Sequence, residues 1–424
     1  MLINPTEFKP QPANTSPNTP LRIGFFTDTY APQVNGVAVS LQLLVQDLRA
    51  AGHDVTIFAP RFPGYRDAEP MVYRVPSMRY MRKPPIYVAM PGTPRTTLSL
   101  YRRRFDVLHA HSPLSVGLLA YITASTRKLP LIYTYHTSIA DYTHYIKVVG
   151  GTRLIRYAAR WFSTTTTNLG DQIVVPSRKF ERLLHAQNVH RPIHVIPCGL
   201  DLNNFSKPKS PGSFRARLGL SAEAPLLLSV GRVDPEKRLD FLIEAFARMA
   251  AQYPDAHLVF AGDGSSRLKL EAQATASGYG HRIHFLGMIS RADLPDLYHD
   301  ATLFLSASTS ETQCIAMLEA IAAGLPVVAV QDEAFEGMLV DGMNGRVTSQ
   351  EADSFSAVVC GLLADRLTLQ TFGRNSVELS QKFSIEAQVA SLVKLYMEAI
   401  QENRRGANMS PDPSSRRAIR SSAQ

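Results

Sequence analysis

Cysteine is scarce. The chain of 424 residues has three, Cys198, Cys314 and Cys360, at spacings that suit neither a disulfide framework nor a zinc site, and a sparse, odd set fits a reducing cytosol. Long hydrophobic runs are missing too: nowhere do about 18 apolar residues follow one another, so no membrane-spanning helix is expected. The opening stretch 1–20, MLINPTEFKPQPANTSPNTP, lacks the apolar centre of a secretory signal and reads as a disordered leader. No Gly-x-Gly-x-x-Gly follows the first predicted strand, and no acidic residue stands where a dinucleotide fold would supply one, which argues against a dehydrogenase. These absences leave a soluble or peripheral protein.

The length allows two cores, and the composition is that of an ordinary globular protein. Lys and Arg outnumber Asp and Glu 45 to 36, a formal charge of +9 that suggests nucleotide phosphates, anionic lipid or nucleic acid as partners. Strands are predicted at 22–27, 53–59, 72–75, 107–110, 131–135, 172–175 and 194–196, with a helix over 37–51 closed by Gly52. A polar, Pro-containing stretch follows at 201–221. A second series then places strands at 226–230, 257–261, 283–286, 302–306 and 327–330, with helices over 240–252, 266–277 and 315–323 and helices alone from there to about 400. Apolar strands separated by helices imply parallel sheets covered on both faces. The expected fold class is α/β, with domains at 21–200 and 222–384 joined by a linker at 201–221. A helix at 385–402 is expected to return toward the first domain, ahead of a disordered basic tail at 403–424.

The chemistry concentrates at strand ends. In Ser308–Val330, STSETQCIAMLEAIAAGLPVVAV, a polar loop enters a short helix, Gly324 stands where a helix end wants a positive φ, and Pro326 forbids continuation. The first amides of such a helix form an anion site, and two carboxylates, Glu311 and Glu319, with seven residues between them, lie around it. Phosphate at the helix mouth with ribose hydroxyls on a carboxylate deeper in would suit a nucleotide sugar. Upstream, Arg232 and Lys237 leave another strand end, where two cations can neutralise a diphosphate and its growing charge on departure. Gly262 and Gly264 mark a strand-to-helix turn open to close backbone approach, or a plain tight turn. In the first half His109, His111 and His136 close two strands on one rim; His136 is chosen for substrate contact, although a lone histidine also reads as a structural residue. No Asp-x-Asp occurs, so a metal-held sugar nucleotide is not expected, and no cofactor or obligatory metal is foreseen.

Charge is lopsided between Arg61 and Arg104, where ten Lys and Arg residues face only Asp67 and Glu69, and apolar side chains are interleaved. Such a surface can lie on anionic headgroups; nucleic acid is disfavoured because no motif for it accompanies the charge.

Taken together, Gly231-Arg232 with Lys237, the Gly262-Asp263-Gly264 turn, Ile196-Pro197 with Gly199-Leu200-Asp201, and Glu311-x7-Glu319 before Gly324-Leu325-Pro326 resemble the retaining glycosyltransferases of family 4. The resemblance runs from about Leu21 to Ile400. Within that family, the stretches Phe26–Val37 and Tyr135–Ile146 look like the glycolipid branch, the diacylglycerol glucosyltransferases and sulfolipid synthases. The resemblance implies a GT-B fold, two Rossmann-like α/β/α domains facing across a cleft, with acceptor and membrane on the N-terminal side and a UDP- or GDP-sugar on the C-terminal side. It assigns Arg232 and Lys237 to the diphosphate, Glu319 to the ribose and Glu311 to the hexose. Backbone groups of Thr312, Gln313, Cys314 and Ile315 meet phosphate and hexose, Met288 the base, His136 the sugar, and Gly36 and Gly264 line the donor. Tyr142, Tyr145, Arg79, Arg82, Lys83, Arg102, Arg103 and Arg104 are the expected acceptor and membrane residues. Asn35 and Cys314 depart from the family by standing where glycine is common; a required positive φ at Cys314 would force a different loop there.

The implied activity moves a hexose, glucose or galactose, to a lipid hydroxyl such as that of diacylglycerol, with anomeric configuration kept, at the inner face of the cell membrane. Other readings are a phosphatidylinositol mannosyltransferase, a transferase to a soluble acceptor, and a membrane-bound nucleotide-sugar sensor without turnover.

Overall fold

The structure, a computed structural model, describes residues 19–33, 36–69, 71–81, 86–90, 93–113, 115–136 and 152–409. The chain divides into two compact units, one of residues 1–174, 187–194 and 389–424, the other of 175–186 and 195–388.

Up to residue 195 the elements run β1 (Arg22–Phe26), α1 (Gly36–Ala50), β2 (Asp54–Pro60), β3 (Val72–Val75), β4 (Ser77–Met81), β5 (Ile86–Ala89), α2 (Pro94–Arg102), β6 (Val107–Ala110), α3 (Ser115–Arg127), β7 (Leu131–Thr134), α4 (Thr152–Thr167), β8 (Gln172–Val175), α5 (Arg178–Ala186) and β9 (Ile193–Val195). A seven-stranded sheet has the order β3-β2-β1-β6-β7-β8-β9 and is parallel from β3 through β8. Its central strands are buried along their whole length, as a sheet covered on both faces requires: every residue of β6 and β7 is buried, the polar His109 and Thr134 included. The antiparallel hairpin β4–β5 was not foreseen. Each of its strands is only four or five residues long, and the basic side chains among them masked the alternation.

The rest of the chain runs α6 (Ser213–Arg217), β10 (Leu226–Val230), α7 (Leu239–Met249), β11 (His257–Ala261), α8 (Arg267–Ala276), β12 (Ile283–Phe285), α9 (Leu294–Asp300), β13 (Leu303–Ser306), α10 (Ile315–Ala322), β14 (Val327–Val330), β15 (Gly345–Thr348), α11 (Ala352–Ala364), α12 (Arg366–Ser380) and α13 (Ile385–Met409). A six-stranded parallel sheet of order β12-β11-β10-β13-β14-β15 forms the centre of the second unit. Two apolar clusters cover its faces, one including Phe241, Phe246, Phe260 and Phe355, the other Phe304, Met317, Leu318 and Phe335.

Three differences from the sequence reading have physical causes. Helices alone were expected after Val330, yet β15 pairs with β14; with Arg346 and Val347 exposed between two buried ends it shows neither an apolar run nor an alternation, and Gly345 is needed because a Cβ there would lie 2.1 Å from the Val327 carbonyl oxygen. The stretch 201–221 is folded into the second unit rather than strung out. Asp296 accepts from the amides of Lys209 and Ser210, and Asp300 from those of Gly212, Phe214 and Arg215, so two buried carboxylates of α9 organise a polar sequence. The tail is helical through Met409 instead of ending order near 402. The leader 1–18 and residues 410–424 lie outside the described residues.

Candidate functional site

In the second unit the carboxyl ends of three neighbouring strands are drawn together by glycine. Gly231, after β10, has φ +149°, and Gly262, after β11, has φ +137°. A Cβ on Gly262 would stand 1.8 Å from the Gly231 carbonyl oxygen, and one on Gly264 would stand 2.4 Å from that of Val233. The Val233 amide donates to the Asp263 carbonyl at 3.0 Å and the Gly262 amide to the Gly287 carbonyl at 2.8 Å. The close approach expected at Gly262 and Gly264 is thus made to the chain's own loops. Met288 follows Gly287 at the end of β12 and is exposed.

These loops hold the two cations. Arg232 reaches Asp234 at 2.8 Å and Glu236 at 2.7 Å. Asp234 in turn accepts from the Ser265 amide and hydroxyl at 2.8 and 2.7 Å, which ties the first loop to the second. Burial pushes the Asp234 carboxyl up, but the Ser265 hydrogen bonds and Arg232 outweigh it and hold it below the usual carboxylate value. Lys237 is more enclosed, with its Nζ 2.5 Å from Glu311 Oε1. Burial lowers its pKa, but the Glu311 charge prevails and the net shift is upward, so Lys237 stays cationic. Lys237, Glu311, Gly231, Arg232, Ser308 and Cys314 line an open concavity at the ends of β10 and β13.

The loop from Ser308 delivers the other wall. Glu311 is buried against Lys237, and the Thr312 carbonyl accepts from the Ser177 hydroxyl at 2.8 Å. Gln313 uses its whole amide on Cys198, accepting from its N–H at 2.7 Å and donating to its C=O at 3.1 Å, so its side chain is a brace and only its backbone is left for a ligand. Cys314 is the N-cap of α10 with φ −79°, a conformation open to any residue. Burial and the nearby Glu311 push its thiol up to about 12, which makes it an inert wall and not a nucleophile. No side chain caps α10, and Ile315 opens the helix with its amides directed to the loop side. Gly324 ends it with φ +81°, as its position required.

Glu319 lies one turn into α10 and is buried, its Oε2 accepting from the Tyr298 hydroxyl at 2.8 Å. Burial raises its pKa against the opposing Tyr298 hydrogen bond. Tyr298, on α9, was not singled out in the sequence; nothing in 21 residues of separation signals that its hydroxyl meets this carboxylate. Asp234 was passed over too, although it lies inside the Gly231–Arg238 stretch.

In the first unit His109, His111 and His136 are brought together as predicted from their strand ends, His111 Nδ1 lying 3.1 Å from His136 Nε2. Asp28, within the Phe26–Val37 stretch, accepts from the Ser115 hydroxyl at 2.8 Å. Gly36 is the exposed first residue of α1. Of the expected membrane residues, Arg79, Arg102 and Arg104 are exposed, whereas Arg103 turns back, 3.4 Å from the Thr56 hydroxyl of β2 and 3.6 Å from the Met71 sulfur. Tyr142, Tyr145, Arg82 and Lys83 lie outside the described residues. Among the described residues no helix is long and apolar enough to cross a membrane.

Residues 34–204 match the family described as Glycosyltransferase Family 4, and residues 212–379 match Glycosyl transferases group 1. The chain is 32% identical to the Alpha-monoglucosyldiacylglycerol synthase of Streptococcus pneumoniae over 90% of its own length and 87% of that protein's. It is 27% identical to the enzyme of that name from Acholeplasma laidlawii over 92% and 100%. In fold it is similar to the sucrose-phosphate synthase of Thermosynechococcus elongatus, a TM-score of 0.72 at 22% identity covering 90% of this chain and 100% of that one. The two parallel-sheet units have the GT-B architecture, and the chain belongs to the family 4 glycosyltransferases.

Proposed function

We propose that the chain transfers a hexose, glucose or galactose, from a nucleotide sugar to the hydroxyl of a membrane lipid, diacylglycerol above others, with retention at the anomeric carbon. The reading rests on one observation: Arg232, Lys237 and Glu311 converge on a concavity at the strand ends of the second unit, in a chain similar along 90% of its length to a protein named for making monoglucosyldiacylglycerol.

The roles follow from charge and reach. Lys237 and Arg232 meet the diphosphate and stabilise the charge it gains as it leaves. With two cations for that task, the reaction needs no obligatory metal. Glu311 accepts from hexose hydroxyls while its other contact to Lys237 couples sugar position to phosphate position. Glu319 accepts from ribose hydroxyls, with Tyr298 fixing its orientation. Neither glutamate is a nucleophile, since both are committed to binding, and the rate comes from positioning and leaving-group stabilisation rather than from the paired carboxylates of a glycosidase. The acceptor is reached by peripheral association with anionic membrane through the exposed Arg79, Arg102 and Arg104 beside Met78 and Tyr101.

Calorimetric titration with UDP and GDP tests the donor side. Glu319→Ala is expected to weaken nucleotide binding at least about tenfold, the scale of one lost charge-assisted hydrogen bond. Glu319→Gln, which still accepts from Tyr298, separates that loss from the cost of an orphaned hydroxyl. Wild-type affinity in both variants would sink the ribose assignment. In the same preparations Lys237→Ala is expected to lower kcat by roughly 100-fold with the nucleotide still bound.

A further inference from the structure

The three histidines at the ends of β6 and β7 form a connected set in which the surroundings of His111 decide where its proton and that of His136 sit. His109 is fully enclosed, with Nδ1 2.6 Å from the Tyr396 hydroxyl and Nε2 2.6 Å from the Thr134 hydroxyl. The His111 ring is held between His109, 4.0 Å away by ring centroid, and Phe25, 4.7 Å away. Its Nδ1 faces His136 Nε2 at 3.1 Å, and its Nε2 is buried without a hydrogen-bond partner. Burial lowers the pKa of all three rings, with mutual repulsion adding to it at His109 and His111, and takes His136 down to about 4. Near neutral pH each ring is therefore uncharged and carries one N–H.

Two arrangements satisfy the His111–His136 hydrogen bond. If His136 donates from Nε2, the proton of His111 sits on its buried Nε2 and points at no acceptor. If His111 donates from Nδ1, its Nε2 is a bare lone pair, and the His136 proton moves to Nδ1. An enclosed N–H without an acceptor is the rarer and costlier defect of the two. We infer that His111 is a positioning residue that fixes His136 in the Nδ1–H tautomer, so that His136 offers a hydrogen-bond donor, and not an acceptor, to a substrate oxygen. The inference deepens the reading that His136 meets the substrate and rests on it for its functional part; the tautomer itself stands on the geometry alone. The logic is that of any imidazole whose second nitrogen is set by its neighbour. It favours oxygens rich in lone pairs, a sugar hydroxyl or a phosphate, over a group that must donate.

Long-range proton–nitrogen NMR of the full chain with labelled histidine, the His136 signals assigned by their loss in His136→Gln, reads the tautomer directly. A pyridine-like Nε2 and a pyrrole-like Nδ1 are expected for His136 at neutral pH; the reverse pattern, or a charged ring, overturns the inference. His111→Leu is expected to leave His136 as a mixture of tautomers and to lower kcat about tenfold or more with little change in donor KM, while His111→Asn, whose amide can donate in place of Nδ1, recovers much of both. A His111→Leu enzyme with unchanged tautomer and kcat also overturns it. Full activity in His136→Ala refutes the substrate contact alone and leaves the tautomer result standing, so the two failures are distinguishable.

Discussion

At the scale of single residues, the charged groups of the site were legible and their partners were not. Glu319 stood out as a carboxylate set deeper in the helix behind an anion-binding mouth, and Arg232 and Lys237 because cations at a strand end face a ligand side. What holds each of them comes from elsewhere in the chain: Tyr298 for Glu319, Glu311 for Lys237, and Asp234, braced by Ser265, for Arg232. Such partners are chosen by tertiary contact and leave no periodicity to read.

The buried histidines make a prediction of the same scale. His109 titrates well below its ordinary value of 6.5 because burial and the neighbouring His136 disfavour its charged form. Above that value the ring is neutral folded and unfolded, so its contribution to stability is fully present. Below it the unfolded chain takes up a proton that the folded one refuses, and stability is lost as the pH falls. Removing this group in His109→Gln should therefore narrow the stability gap between wild type and variant by up to about 1.4 kcal/mol per pH unit below 6.5. Denaturant titrations from pH 7.5 to 5 measure it; parallel profiles would contradict it. The raised carboxyls of Asp28 and Glu319 act in the opposite direction, but they are common to both proteins and cancel in the difference.

At the scale of elements, strands and helices with continuous apolar runs were plain, and those interrupted by exposed or charged residues were not. Strands β10, β11 and β14 carry continuous buried runs and were placed to the residue. β15 and the strands of the hairpin β4–β5 are no shorter than β14, but exposed residues interrupt them, Arg346 and Val347 in β15 and Met78 and Arg79 in β4. The stretch 201–221 misled for the reverse reason, since a polar sequence without an apolar face can still be folded when buried carboxylates collect its amides, as Asp296 and Asp300 do. The turn at Gly262 and Gly264 was read as open to close backbone approach or as a plain tight turn; its glycines let the strand-end loops that carry Arg232 and Lys237 pack backbone to backbone. The surface around α2 carries an element-scale prediction. Leu98 and Tyr101 are exposed on this helix beside Arg102, and Arg104 is exposed just beyond it. Replacing Arg102 and Arg104 by Gln should lower sedimentation with anionic liposomes, by about 1 kcal/mol per charge, and leave nucleotide affinity unchanged. Arg103, turned toward β2, belongs outside that test because its loss also removes a fold contact. Undiminished sedimentation would count against this surface.

At the scale of the whole molecule, the sequence carried the architecture because both units repeat one rule, apolar parallel strands separated by helices with chemistry at the carboxyl ends. The proposed donor chemistry is concentrated in the second unit, where charge, glycine and helix terminus coincide. The acceptor is specified by less, a basic surface and the likeness to glycolipid-making relatives, because fold alone does not choose a substrate. The direct measurement is mass spectrometry of lipids extracted after the full chain is incubated with diacylglycerol liposomes and a panel of UDP- and GDP-sugars. A monohexosyl-diacylglycerol that forms with one donor of the panel, and fails to form with the Lys237→Ala enzyme, is the predicted result. Nucleotide release at the same rate with and without the liposomes, and no glycosylated lipid from any donor, would contradict the assignment.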